Sequence, residues 1–572
     1  MKDPSSPLKK LCLAAVMLLF FTSSAPAGPD PSWGSAEDIS DAYYYFTAAQ
    51  MLKKEGDIEG AIELYKKAIA LDPDSAILYA DLGHLYIQTG EAELARDYLL
   101  KAVEKDPLYT ASYLMLADVY TVLKDEEAAA RNYELAIGLE PENQKIYLYL
   151  ATHYAKTGEF EKGITVLKRL LDVKPDSIMA YYYLAKIEYE RQDYGKAEEY
   201  YLKALEINDT FESVYLELGQ TYELDKKLDE AEGIYKRGIS SLHNGRGFKS
   251  RLGSLYIHQN RLDEALELYR ELEGYEDSRQ DALLKIGLIL FEKEDYPGSI
   301  VKLKELISER PELWKIRYYL AVAYEETGDL ESAAREFEPI PGNDQSFIDS
   351  RIHLAYVYER LGNVDRAIEK MNEALEVKKD DPELLRLLAS VYRDAKRYDE
   401  AVGVLKRAIE MAPGDPELYF TLGVLYDDLG MEDDLFRNMF KALELDPRHT
   451  NALNYIGYSY AEKGVRLDEA EEYIKKALSI MPESGYYLDS LGWVYFKKGE
   501  FEKAIAELEK AAKYLPDDPV IIEHLGDAYL KRSFKEKALT SYETAAKLDP
   551  ENQEIKDKIE MLRRTLGPGE AN

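Results

Sequence analysis

Residues 76–107 read AILYADLGHLYIQTGEAELARDYLLKAVEKDP. Within this stretch Gly83 and Ala95 stand twelve apart, the turn Gln88-Thr89-Gly90-Glu91 lies between them, and Pro107 closes the segment. Tyr79, Leu82, Tyr86, Leu94 and Leu99 place apolar side chains at helical spacing on both sides of the turn. Two helices pack closely only where side chains are small at the crossing. Gly83 supplies that on a first helix (A) and Ala95 on a second (B). Gly90 supplies a helix C-cap or turn conformation. Pro107 ends the second helix, because it cannot continue the hydrogen-bond ladder.

The same pattern extends in both directions. A small residue recurs every 34 residues from Ala49 to Gly526, with one step of 35 between Gly457 and Gly492, and all fifteen rungs are Ala or Gly. A second ladder runs on helix B from Ala61 to Ala538, with only Leu435 large. Tyrosine follows the first ladder by three residues in twelve repeats, and proline closes ten. Such a period marks a repeat array whose core grows in one dimension. Two junctions look irregular: His243-Asn244-Gly245-Arg246-Gly247 and Glu338-Pro339-Ile340-Pro341-Gly342. Pro339 comes six residues after Ala333, so helix B of the ninth repeat must be short, and a bend is expected near each junction.

From about Ala42 to Pro550 this pattern resembles the tetratricopeptide repeat (TPR) family. The resemblance implies an all-α chain, a right-handed α-solenoid superhelix of helix-turn-helix hairpins. Helix A would line a concave groove, and a helix over 551–565 would cap the last repeat. The expected organisation is a signal over 1–27, a linker over 28–41, fifteen repeats over 42–550, the cap, and a tail over 566–572.

The N-terminus reads as a secretory signal. Lys9 and Lys10 precede the apolar run Leu11–Phe21, and Ala25-Pro26-Ala27 offers a small-x-small cleavage pattern. Cys12, the one cysteine, sits at the start of that run, where a lipid-anchored cysteine would follow its end. Disulfides, thiol chemistry and cysteine-held metals are therefore not expected in the mature chain. The net charge of −35 argues against a nucleic-acid partner. No HExxH, Walker loop, GxSxG or dinucleotide fingerprint appears, and the seven histidines show no metal spacing. The chain is expected to be a non-enzymatic binder of proteins that needs no cofactor or metal.

In the family, ligand-facing positions of helix A lie six and three before the small residue, one after it, and four or five after it. The resemblance carries these onto Glu383, Arg386, Ser390, Arg393 and Asp394 in the eleventh repeat. In the thirteenth they are Asn451, Asn454, Tyr458, Ala461 and Glu462, and in the fourteenth Tyr486, Asp489, Trp493, Phe496 and Lys497. Asn side chains can bond both donors and acceptors of an extended backbone, and aromatics are typical anchors. The Lys and Asn clamp that holds a terminal carboxylate in chaperone-tail receptors is absent, so an acidic groove suits basic or apolar segments better.

The segments Asn454-Tyr455-Ile456-Gly457-Tyr458, Gly464-Val465-Arg466-Leu467-Asp468-Glu469-Ala470 and Tyr487-Leu488-Asp489-Ser490-Leu491-Gly492-Trp493 are similar to a bacterial envelope subgroup. That subgroup includes outer-membrane TPR lipoproteins that act as adaptors for a periplasmic carboxyl-terminal processing protease and present cell-wall hydrolases to it. The resemblance implies a periplasmic adaptor associated with the outer membrane, although this chain lacks the lipidation cysteine. A subunit of a polysaccharide-export or secretion assembly is the alternative reading.

Overall fold

The computed structural model describes residues 36–242 and 245–566. The expected signal, the start of the linker and residues 567–572 lie outside the described residues. Among those described, there are 31 helices and no strand. The first helix, Ala36–Glu55, begins inside the expected 28–41 linker and corrects that boundary. The last, Gln553–Leu566, is the expected cap, and it buries Ile555 and Leu562.

The chain forms two compact units, one ending at Leu268 and the other starting at Tyr269. Each is a stack of antiparallel A–B pairs. In both units, A helices of successive repeats also pack on one another, as Ala76–Thr89 does on Thr110–Val122 and Thr450–Lys463 does on Gly485–Lys498.

The two ladders meet where the helices cross. A Cβ on Gly83 would fall 2.7 Å from Leu99 Cγ, and one on Gly457 would fall 2.5 Å from Ile474 and 2.9 Å from the Ala470 carbonyl oxygen. Ala49, Ala61, Ala95, Ala129 and Ala470 are fully buried. The small residues thus set the interhelical distance, and the tyrosines of the sequence ladder, such as Tyr86, Tyr460 and Tyr529, fill the core beside them.

Every A–B turn contains a residue in the left-handed region, and that of the thirteenth repeat adds a second, Arg466. Eight are glycines: Gly56, Gly90, Gly158, Gly328, Gly362, Gly430, Gly464 and Gly499. The other seven are Lys124, Gln192, Lys226, Asn260, Glu294, Lys396 and Ser533. These positions form a third 34-residue ladder, fixed by backbone geometry and only half visible as glycine.

The expected short helix B of the ninth repeat is Leu330–Phe337, of eight residues. Pro339 and Pro341 carry the chain away without N–H groups to donate, and Ile340 plugs the core in place of the missing turns. The exposed helix end is capped from the next repeat. Buried Arg351 donates to the carbonyls of Phe337, Glu338 and Ile340 at 3.1–3.2 Å. Its Nε lies 2.5 Å from Glu373, and its guanidinium sits 4.3 Å over the Phe347 ring. Lys370, also buried, bonds Glu338 and Glu373 at 2.7 Å each. At the other irregular junction, His243 and Asn244 lie outside the described residues, and helix resumes at Arg246.

Candidate functional site

The expected groove residues separate into three groups. Arg386 is bound by Glu383 at 2.6 and 2.8 Å, and Arg393 is bound by Asp428 of the next repeat. Both guanidiniums therefore already have carboxylate partners. Asn451 accepts from the Tyr487 hydroxyl at 2.7 Å, and Tyr486 stands 60% exposed. Asn454 has a side-chain oxygen closed to solvent that accepts no hydrogen bond.

The third group forms a wall. Trp493, a candidate groove position, is 9% exposed and packs between repeats. Its ring stacks on Phe496 at 4.7 Å and on His524 of the fifteenth repeat at 4.0 Å. Its indole N–H donates to Glu462 of the thirteenth repeat, and Lys497 sits 4.9 Å over the ring. Asp489 is buried beside it, 2.9 Å from His524 Nδ1. Three consecutive A helices are thus clamped by one layer of aromatic and charged side chains. Tyr458 belongs to the same face, and burial together with Glu462 and Asp489 pushes its hydroxyl up to about 12. Nothing in the repeat register names His524, because it lies off the ligand-facing positions and meets Trp493 only through space.

Burial opposes the charged form of His524, but the Asp489 hydrogen bond and the charges of Asp489, Asp527 and Glu523 outweigh it. The ring therefore titrates above its ordinary value of about 6.5. The pair's contribution to stability is complete below the unfolded-state value and is lost as pH rises through the folded one. Urea unfolding followed by tryptophan fluorescence at a series of pH values should show this decline at the C-terminal repeats. His524→Gln should remove it; a variant with the same pH slope as the wild type would refute the assignment.

Sequence reasoning also missed Glu359. It lies four residues after Ala355 on helix A of the tenth repeat, Phe347–Arg360. Burial and the nearby Asp394 both hold its carboxyl above the usual range. One of its oxygens is shut from solvent and has no hydrogen-bond donor. Two carboxylates thus share a stretch of the A-helix face, and the Glu359 oxygen has no cation or donor to balance it. Three other repeats carry an acid at this position, Glu223, Glu325 and Asp427, so the sequence gives no sign that this one is unsatisfied.

Among the described residues, no group of His, Cys, Asp and Glu could hold a metal ion, and no helix is long and apolar enough to cross a membrane. The fold and its side-chain faces define a protein-interaction scaffold of the α-solenoid class. Family models described as tetratricopeptide repeat match residues 148–210, 250–311 and 353–416, then 290–353, and then 76–107 and 110–143; a further TPR repeat model matches 49–90 and 492–533. The chain carries tetratricopeptide repeats.

A TPR repeat-containing protein of Pseudomonas aeruginosa is 40% identical over 53 residues, a match that spans 9% of this chain and 9% of that protein. Among solved structures, yeast Tom70 is 18% identical with a TM-score of 0.41, covering 80% of this chain and 96% of that one. The MamA protein is 26% identical with a TM-score of 0.27, covering 30% of this chain and 93% of that one.

Proposed function

We propose that the chain is a non-enzymatic scaffold that holds basic or apolar protein segments across the A-helix faces of its tenth to fourteenth repeats. The observation that carries this reading is Glu359, whose shielded oxygen and neighbour Asp394 call for a cation the chain does not supply. Exposed Tyr486 and partly exposed Phe496, which Trp493 backs, supply apolar contact further along the same row of helices. The finer role is an exported adaptor of the bacterial envelope that presents cell-wall hydrolases to a periplasmic carboxyl-terminal processing protease. The segments 454–458, 464–470 and 487–493 support it by their likeness to that subgroup.

The test uses the purified chain, such a protease and a hydrolase substrate. Cleavage should be faster with the chain present. Glu359→Gln should weaken hydrolase binding at least tenfold while leaving the free chain equally or more stable, because it removes a like-charge contact and a buried charge. Tyr486→Ala should weaken binding without changing helicity. No acceleration, or full binding by both variants, would overturn the proposal.

A further inference from the structure

A different surface stands out on the A helices of the first four repeats, all in the unit that ends at Leu268. Of the twenty positions that the family register marks there as ligand-facing, five are charged: Lys53, Lys54, Lys145, Lys156 and Asp118. Across the tenth to fourteenth repeats the same register carries nine acids against four bases. The two stretches therefore have opposite polarity, in a chain whose net charge is −35. Charges more than about 8 Å away are largely screened at physiological ionic strength, so the nearby lysines, and not the net charge, decide what the first face attracts.

Unlike Arg386 and Arg393, these lysines are not taken up by the chain. Among the described residues, the ammonium groups of Lys53, Lys54, Lys145 and Lys156 have no hydrogen-bond or ion-pair partner. The one acid of the set, Asp118, accepts from the Tyr133 hydroxyl at 2.9 Å. Lys53 faces the next A helix, where burial and then the Lys53 charge hold His84 below its ordinary value, against Asp81. Lys53, Lys54 and Lys156 stand in the last turns of their helices, where a cation also suits the helix dipole. Lys145 stands in the first turn of Gln144–Lys156, where the dipole opposes a cation, so helix stability does not account for it. Between the lysines the face is apolar. Ile77 and Val122 are 50% and 68% exposed, and Leu114 and Leu148 are partly exposed. A hollow of about 330 Å³ opens beside Lys156, between Ala155, Phe160, Tyr183 and Ile187. Its rim also carries Glu190 and Lys186, which is shared with Glu217 at 3.4 Å, so the hollow suits an apolar side chain and the charge preference rests on the four free lysines.

We propose that this face is a second docking site, for an extended segment of another protein that is apolar in the middle and rich in Asp and Glu at its ends. Four A helices at packing distances of about 10 Å span roughly 30 Å, the length of about nine extended residues. The acids of one end meet Lys53 and Lys54, and those of the other meet Lys145 and Lys156. The apolar middle lies on Leu114, Val122 and Leu148, with one side chain in the hollow. Apolar burial supplies most of the affinity, and the lysines set the charge preference and the encounter rate. The chain then holds two partners of opposite charge at the same time, one on each stretch.

Isothermal titration calorimetry on the full chain tests this with a ten-residue peptide that carries two Glu at each end and Leu and Phe between them. Binding should weaken as salt is raised. Lys53→Glu combined with Lys156→Glu should weaken it at least tenfold with unchanged helicity, and Val122→Asp should weaken it about tenfold. Lys168→Glu makes the same charge change at an exposed position of helix B in the fourth repeat, Phe160–Val173, and should leave binding intact. A peptide with Lys replacing Glu should bind the double variant at least as well as the wild type. Equal binding of the acidic peptide by the double variant, an equal loss on Lys168→Glu, an equal loss for the basic peptide, or self-association of the chain that the double variant abolishes would each overturn the proposal.

Discussion

Replacing Arg351 with methionine should lower stability by about 3–5 kcal/mol, the range for removing one partner from a buried charge network. Methionine keeps the length of the apolar stem, so the loss is electrostatic and not a matter of volume. The carbonyls of Phe337, Glu338 and Ile340 would lose their donor. Glu373 would keep Lys370 as a cation but lose its second one. Lys370 holds Glu338 below the usual carboxylate range against partial burial, so both carboxylates stay charged in the variant, with Lys370 as their remaining cation. Denaturant unfolding should show the change, and hydrogen exchange should place the loss of protection in Trp314–Val377. A shift below about 0.5 kcal/mol would show that the shortened helix does not depend on this cap.

Trp493→Ala carries the other large effect, about 3–5 kcal/mol for deletion of a buried tryptophan. The variant empties the layer between Phe496 and His524 and leaves Glu462 without its indole donor. In a repeat array each hairpin is held by its neighbours, so the loss should concentrate in the thirteenth to fifteenth repeats and the cap. Hydrogen exchange should report those repeats opening ahead of their neighbours, and Trp493→Phe should recover a large part of the protection. Uniform loss along the chain, or none, would contradict a local clamp. Reduced ligand binding by this variant alone would not identify Trp493 as a contact, which is why Tyr486→Ala is the cleaner probe of the face.

The helical hairpins were legible in the sequence because the crossing geometry admits only small residues there. The short ninth helix was legible for a comparable reason, since Pro339 leaves no alternative. The turn ladder was legible only at its glycines; Lys124 and Glu294 adopt the same conformation with no mark in their residue type. Trp493 was read from the family register as facing a groove, but coverage by His524 depends on a side chain 31 positions away. Arg386 and Arg393 carried the right charge for a groove yet are taken up by Glu383 and Asp428, a matter of rotamers and distances. Lys53, Lys54, Lys145 and Lys156 occupy groove positions of the register, but only the folded chain shows that, among the described residues, no carboxylate takes them up.

The turn residues also say where such a chain should breathe. A non-glycine residue in the left-handed region costs roughly 1 kcal/mol. Gln192, Lys226, Asn260 and Glu294 follow one another through the fifth to eighth repeats, whereas from Gly328 to Gly499 glycine holds five of the six turns and only Lys396 and Arg466 carry the same cost. Asparagine tolerates the conformation better than the other three. Linear arrays are expected to fray from their ends, where a neighbour is missing. Here the weakest links accumulate in the interior instead, so transient opening starts away from the termini. The C-terminal repeats that carry the proposed groove then stay closed while the middle of the chain exchanges with solvent.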